Sequence, residues 1–152
     1  MSEKEIKILI FGLNGERYAI DIGDVERILG YIKPTEVPDV PDFVEGVINY
    51  EDKILPIINL SKKFKFSKLK GEFDKHEAKI VVIKRNQNKF GVIVDSVYEV
   101  SDVSMERFEE TPEIINLKSK EYIRGLIKLE DKIVILLNLE DLLSKDEENS
   151  IF

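Results

Sequence analysis

The sequence predicts a mainly β protein made of two related five-stranded barrels with a few short helices. Three observations lead there. A segment is duplicated: FVEGVINYEDKILPIINLSKKF at Phe43–Phe64 aligns without a gap on YIRGLIKLEDKIVILLNLEDLL at Tyr122–Leu143, an offset of 79, with Gly46/Gly125, the four-residue EDKI run and Asn59/Asn138 among the identities. Apolar residues alternate over short runs bounded by turn dipeptides, the pattern of half-buried strands. The strands also number about five per half, too few for a flat sheet to bury both faces, so curling into a small barrel is the economical way to cover edges.

Ile6, Ile8, Ile10 and Gly12 share one face of a first strand, and Asn14-Gly15 is a two-residue hairpin signal leading into a second strand at Arg17–Ile22. In GDVERIL, Val25, Ile28 and Leu29 fall at helical spacing, with Asp24 to cap the start and Gly30 to end the helix. The same plan returns at an offset of 72. Lys79–Lys84 and Lys89–Val94 form a hairpin around Asn86-Gln87-Asn88, and Asp95–Val100 reads as a second short helix carrying Val97 and Val100. Each half then ends in the duplicated hairpin and a helical turn, Leu60–Phe64 or Leu139–Leu143, after an extended segment near Lys33–Pro38 in the first half. Pro56 stands where the second copy has Ile135. Lacking an N–H, it predicts an irregular or open edge there. The chain reads as a single domain, 1–152, with subdomains at about 15–76 and 77–143 and a tail at 144–152; strand exchange between the subdomains is left open.

Composition excludes several functions. A net charge of −7 argues against a partner bound mainly through phosphates, and the lysines at 62, 63, 65, 68 and 70 are answered at once by Glu72, Asp74 and Glu77, the pattern of a solvated linker. An oligonucleotide-binding barrel needs a basic groove with stacking aromatics, and an acidic chain with no Trp, whose Phe and Tyr mostly alternate with aliphatics, disfavours it. There is no cysteine, and the one histidine, His76, sits in the charged linker, so a zinc centre or thiolate chemistry is not expected. No phosphate-cradling glycine motif is present, and Asp52 and Asp131 occupy equivalent hairpin tips where a turn role explains both. The expectations are no enzyme, no cofactor, no metal, no membrane insertion and a reducing cytoplasm.

Beyond the duplication, Phe43–Leu60 resembles the hairpin motif of the CheW domain of bacterial chemotaxis. GVIVDSVYEV at Gly91–Val100 is similar to that family's GxVVDxVxxV segment, EETPEI at Glu109–Ile114 to its short proline-containing loop, and 122–143 to its C-terminal hairpin and helix. The resemblance spans about residues 5–143. It implies two packed SH3-like barrels and a non-catalytic adaptor joining the regulatory domain of the histidine kinase CheA to the cytoplasmic tip of methyl-accepting chemoreceptors. It also implies recruitment to membrane-associated receptor arrays. Receptor contacts carry over to Val25, Ile28, Asn49, Glu51, Val97 and Val100; kinase contacts are assigned to Val37, Val40, Phe43 and Glu45. The plain alternative for Val25, Ile28, Val97 and Val100 is burial, and Phe43 reads equally as core. A CheW-like module of a non-chemotaxis kinase pathway is the second reading, and a small-ligand-binding, enzymatic or nucleic-acid-binding barrel the third.

One departure stands out. Where the family usually has Asn-Leu-Arg-Gly, this chain has Asn49-Tyr50-Glu51-Asp52. The change reverses a charge and removes both a guanidinium fork and a turn glycine.

Overall fold

A computed structural model describes residues 4–66, 73–85, 87–110, 122–139 and 142–151. In order the elements are β1 (Glu5–Leu13), β2 (Glu16–Asp21), β3 (Val25–Gly30), β4 (Val44–Tyr50), β5 (Lys53–Asn59), α1 (Leu60–Phe64), β6 (Lys79–Arg85), β7 (Asn88–Val94), β8 (Ser96–Ser104), β9 (Phe108–Glu109), β10 (Ile123–Leu129), β11 (Lys132–Leu137) and α2 (Lys145–Ile151). The mainly β expectation holds.

Strand pairing crosses the duplication. One sheet runs β8-β1-β2-β11-β10-β9 and the other β3-β6-β7-β5-β4. The first copy's hairpin β1–β2 therefore joins β8–β11 of the second copy, while the second copy's hairpin β6–β7 joins β3–β5 of the first. The sheets count six and five strands, not five each. The extra one is the two-residue β9, paired with β10 at Leu126 and Ile127. Its counterpart is a single bridge, Thr35 to Val47, the only ladder contact formed within the extended segment expected at Lys33–Pro38.

Exchange explains the long apolar run of β1, which is buried on both faces. Ile8 and Ile10 face the core of their own sheet with Ala19, Ile127, Val134 and Leu136. Leu9, Phe11 and Leu13 face a larger core between the sheets with Tyr18, Ile20, Val81, Ile83, Phe90 and Val92. The second sheet encloses the equivalent residues Ile80, Val82, Ile48, Leu55 and Ile57. The structure is thus three hydrophobic cores in a row, the outer two related by the duplication. Strands covered on both sides read as continuous hydrophobic runs, which hides simple alternation.

Both predicted short helices are absent. A 3-10 turn at Ile22–Asp24, capped by Asp21, whose carboxylate accepts from the Gly23 N–H at 2.8 Å, leads into strand β3, and Gly30 ends that strand instead of capping a helix. Likewise β8 replaces the helix at Asp95–Val100. The misleading i, i+3 spacing has a physical source. Each strand is bulged, with Val25 opposite Ile83 and Ile28 opposite Val81 on β6, and Val97 opposite Phe11 and Val100 opposite Leu9 on β1. One extra residue, Glu26 or Tyr98, shifts the alternation so that residues three apart share a face.

The linker reading also needs correction at Lys62 and Lys63, which lie in α1 and are ion-paired; His76 is exposed, as expected. The tail expected at 144–152 carries helix α2. Most of the EETPEI loop, and residues 140 and 141 of the second closing turn, lie outside the described residues. The Pro56 expectation holds. The parallel ladder of β5 with β7 begins only at Ile57, whereas that of β11 with β2 begins at Val134, the counterpart of Leu55.

The turn Asn14-Gly15 has φ values of 51° and 80°, and Glu51-Asp52 has 50° and 62°. The first has glycine where left-handed backbone is needed; the second does not. Asp52→Gly is therefore expected to stabilise the fold by about 0.5–1 kcal/mol, read as a higher urea midpoint at unchanged slope. An unchanged midpoint would show the turn unstrained.

Candidate functional site

Four of the six predicted receptor contacts form two equivalent pairs. The bulges turn Val25 and Ile28 on β3, and Val97 and Val100 on β8, toward the faces that border the inter-sheet core. Val25 and Val97 pack against that core. Ile28 and Val100, one register step out, are 38% and 48% exposed. β3 and β8 are the outermost strands of their sheets, so each pair lies on an edge. A half-buried anchor beside an exposed neighbour is suited to apolar docking.

Asn49 and Glu51 lie elsewhere, at the tip of β4–β5. Glu51 reaches β3 through Arg27 at 3.4 Å, a pair more than half exposed. Arg27 lies opposite Val82, on the face of β3 away from Ile28, and its guanidinium is 5.7 Å from the Tyr50 ring centroid. Beneath it the Tyr50 hydroxyl donates to Glu26 at 2.8 Å and Lys89 pairs with the same carboxylate at 2.9 Å. The hydrogen bonds from Lys89 and Tyr50 hold the Glu26 carboxyl below its usual range, while burial and the contact with Glu26 push the Tyr50 phenol up to about 12. Asn49 is exposed opposite Ile54, which at 72% is among the most exposed apolar side chains described.

The predicted kinase contacts divide in another way. Val37 is exposed and Val40 packs on the shared core. Phe43 is buried, with Lys63 4.6 Å over its ring. Glu45 is the bulged residue of β4 and accepts from Asn59 Nδ2 at 3.0 Å and Lys62 at 2.8 Å. Asn59 also caps α1 by accepting from the Lys62 N–H at 3.1 Å.

Sequence reasoning missed α2. Its start is a capping box: Ser144 Oγ accepts from the Glu147 N–H at 3.1 Å, and the Glu147 carboxylate accepts from the Ser144 N–H at 2.8 Å. The S-x-x-E spacing was there to be read. Glu147 also takes a bidentate contact from Lys63 at 2.8 and 2.7 Å, and Glu148 pairs with Arg85 at 3.1 Å. Burial pushes the Glu147 carboxyl up, but Lys63 and the Ser144 donors outweigh it and the net shift is downward. A carboxylate with a lowered folded-state pKa contributes stability at neutral pH that disappears as pH falls through that lowered value. Amide-exchange protection of α2 is expected to hold down to the ordinary carboxylate range and fail below it; failure already above that range would contradict the assignment.

Among the described residues no group of three or more acidic or imidazole side chains is placed to hold a metal, and no helix is long and apolar enough to cross a membrane. A polar crevice of about 590 Å³ between the copies is lined by Asp21, Asp24, Lys84, Arg85 and Arg124, where mixed charges favour no single ligand.

Comparison with known proteins identifies the fold as a whole. A model of the CheW-like domain matches residues 7–147. Chemotaxis protein CheW of Klebsiella aerogenes is 36% identical over 141 residues, covering 93% of this chain and 83% of that protein. CheW of Treponema pallidum is 30% identical over 148 residues, covering 97% and 87%. A crystal structure described as the scaffolding protein TtCheW of Thermoanaerobacter tengcongensis superposes with a TM-score of 0.83 at 31% identity, covering 95% of this chain and 96% of that one.

Proposed function

This chain belongs to the CheW-like family, and on that premise we propose that it is a non-catalytic scaffold coupling chemoreceptors to the histidine kinase CheA in chemotaxis. What carries the reading is that likeness to CheW proteins extends over both sheets and the junction between them. A coupling protein must hold two partners at fixed geometry, and two related sheets sharing one core supply a rigid body with two non-identical faces.

In this reading the apolar edges of β3 and β8, with Ile28 and Val100 outermost, receive the cytoplasmic receptor tip. The surface around Val37, Val40, Phe43 and Glu45 meets the regulatory domain of the kinase. Phe43, being buried, supports that surface from the core side. The protein works at receptor arrays on the cytoplasmic side of the membrane. Co-sedimentation with receptor cytoplasmic fragments and CheA tests this directly: the chain is expected in the pellet with both, and binding to neither removes the proposal. A CheW-like module of another kinase pathway would bind a kinase regulatory domain but no receptor tip.

Glu51, reached from the face of β3 away from Ile28, is proposed as a second, separate receptor contact that is charge-matched to its own receptor. Glu51→Arg would face Arg27 with a like charge, yet an exposed pair of this kind is worth only about 0–1 kcal/mol of stability. The variant is expected to fold normally and to shift both the affinity for the cognate receptor tip and its salt dependence. Two unchanged curves would remove Glu51 from the interface.

A further inference from the structure

We propose that α2 is an intramolecular ligand occupying a docking seat for an acidic helical segment of a partner, marked by two adjacent carboxylates followed by apolar residues. The seat joins the two copies. Lys63 comes from α1 of the first and Arg85 from the end of β6 in the second, and they receive Glu147 and Glu148 respectively. Both cations are also held by groups outside α2: Lys63 lies over the Phe43 ring at 4.6 Å, and Arg85 donates to the Leu139 carbonyl at 3.0 Å. Neither contact involves α2, so the seat is in part preorganised for another pair of carboxylates.

α2 is a weak occupant. Its seven residues fall below the length at which a helix sustains itself in water, so it depends on the seat for its fold. It also fills only part of the available surface. Ile151 packs on the shared core and forms one wall of a groove of about 480 Å³. The groove continues past it along Val47, Pro56 and the exposed Ile54, with Lys53, Glu51 and the Glu26-paired Lys89 also lining it. An acidic segment longer than α2 would match both cations and then cover apolar surface that α2 leaves open. The family match stops at residue 147, inside α2, so Glu148 and Ile151 lie outside the matched domain. This inference goes beyond the coupling role and is tested without receptor or kinase.

The probe is a labelled synthetic peptide of residues 144–152, titrated by fluorescence anisotropy into the full-length chain. Wild type, whose own α2 fills the seat, is expected to bind at least about tenfold more weakly than full-length Glu147→Gln/Glu148→Gln, because a tethered ligand competes at high effective concentration. Adding Lys63→Gln to that variant should abolish binding. In wild type, excess peptide should lower amide-exchange protection over 145–151. Equal affinity for wild type and variant, no saturable binding to the variant, or binding indifferent to Lys63→Gln would each overturn the proposal.

Discussion

Gly46→Ala is expected to lower stability by about 3 kcal/mol or more, a large part of the total for a domain of this size. Gly46 has φ of +143°, in a region that residues with a Cβ rarely adopt. An added Cβ would run into the backbone carbonyl of Thr35, which bridges to Val47 through two hydrogen bonds of 2.9 Å. Neither side can yield, because the clash is with backbone and the bridge fixes the segment leading to Val37 and Val40. In the second copy, a Cβ on Gly125 would meet the Phe108 ring and, at 2.7 Å, the Glu109 carbonyl. A ring can shift more easily than backbone, so Gly125→Ala should cost less. Urea denaturation of both variants checks the order. A Gly46→Ala midpoint equal to wild type would mean the segment at Thr35 is free to move.

Ile28→Asp and Val100→Asp are expected to weaken binding to a receptor tip by at least about 30-fold each, the loss of a residue worth roughly 2 kcal/mol at an interface. Both side chains are partly exposed on edge strands, so melting temperatures should change little. Val25→Ala and Val97→Ala should behave differently. These side chains pack on the shared core, so their loss should appear in stability as well as binding. The contrast separates docking from packing, which the sequence alone leaves merged at these four positions. Full affinity in both aspartate variants would move the receptor surface elsewhere.

The duplication was legible because hairpin tips and glycines repeat in the text. Gly46 and Gly125 are identical because equivalent segments cross close above them, Thr35–Glu36 in the first copy and Phe108–Glu109 in the second. The β3 and β8 strands were not legible as strands. A bulge places i and i+3 on one face, so local spacing at Val25/Ile28 and Val97/Val100 could not separate helix from bulged strand. The exchange of hairpins was hidden for another reason. Pairing β2 with β11 joins Arg17 to Val134, a contact between the ends of the chain that no local pattern records. At the candidate site, the residue types of the apolar edges were readable and their division into anchor and exposed neighbour was not. Arg27 escaped notice because its connection to Glu51 exists only after β3 and the β4–β5 tip are brought together.

Coupling itself is the property to measure. Receptor cytoplasmic fragments in vesicles and purified CheA are combined with and without this chain, and phosphate incorporation into the kinase is followed over time. The chain is expected to raise receptor-dependent autophosphorylation severalfold, with no effect when receptors are omitted and a much reduced effect for the Ile28→Asp/Val100→Asp double variant. Autophosphorylation that stays at the kinase-alone rate with receptors, kinase and chain all present would contradict the adaptor role.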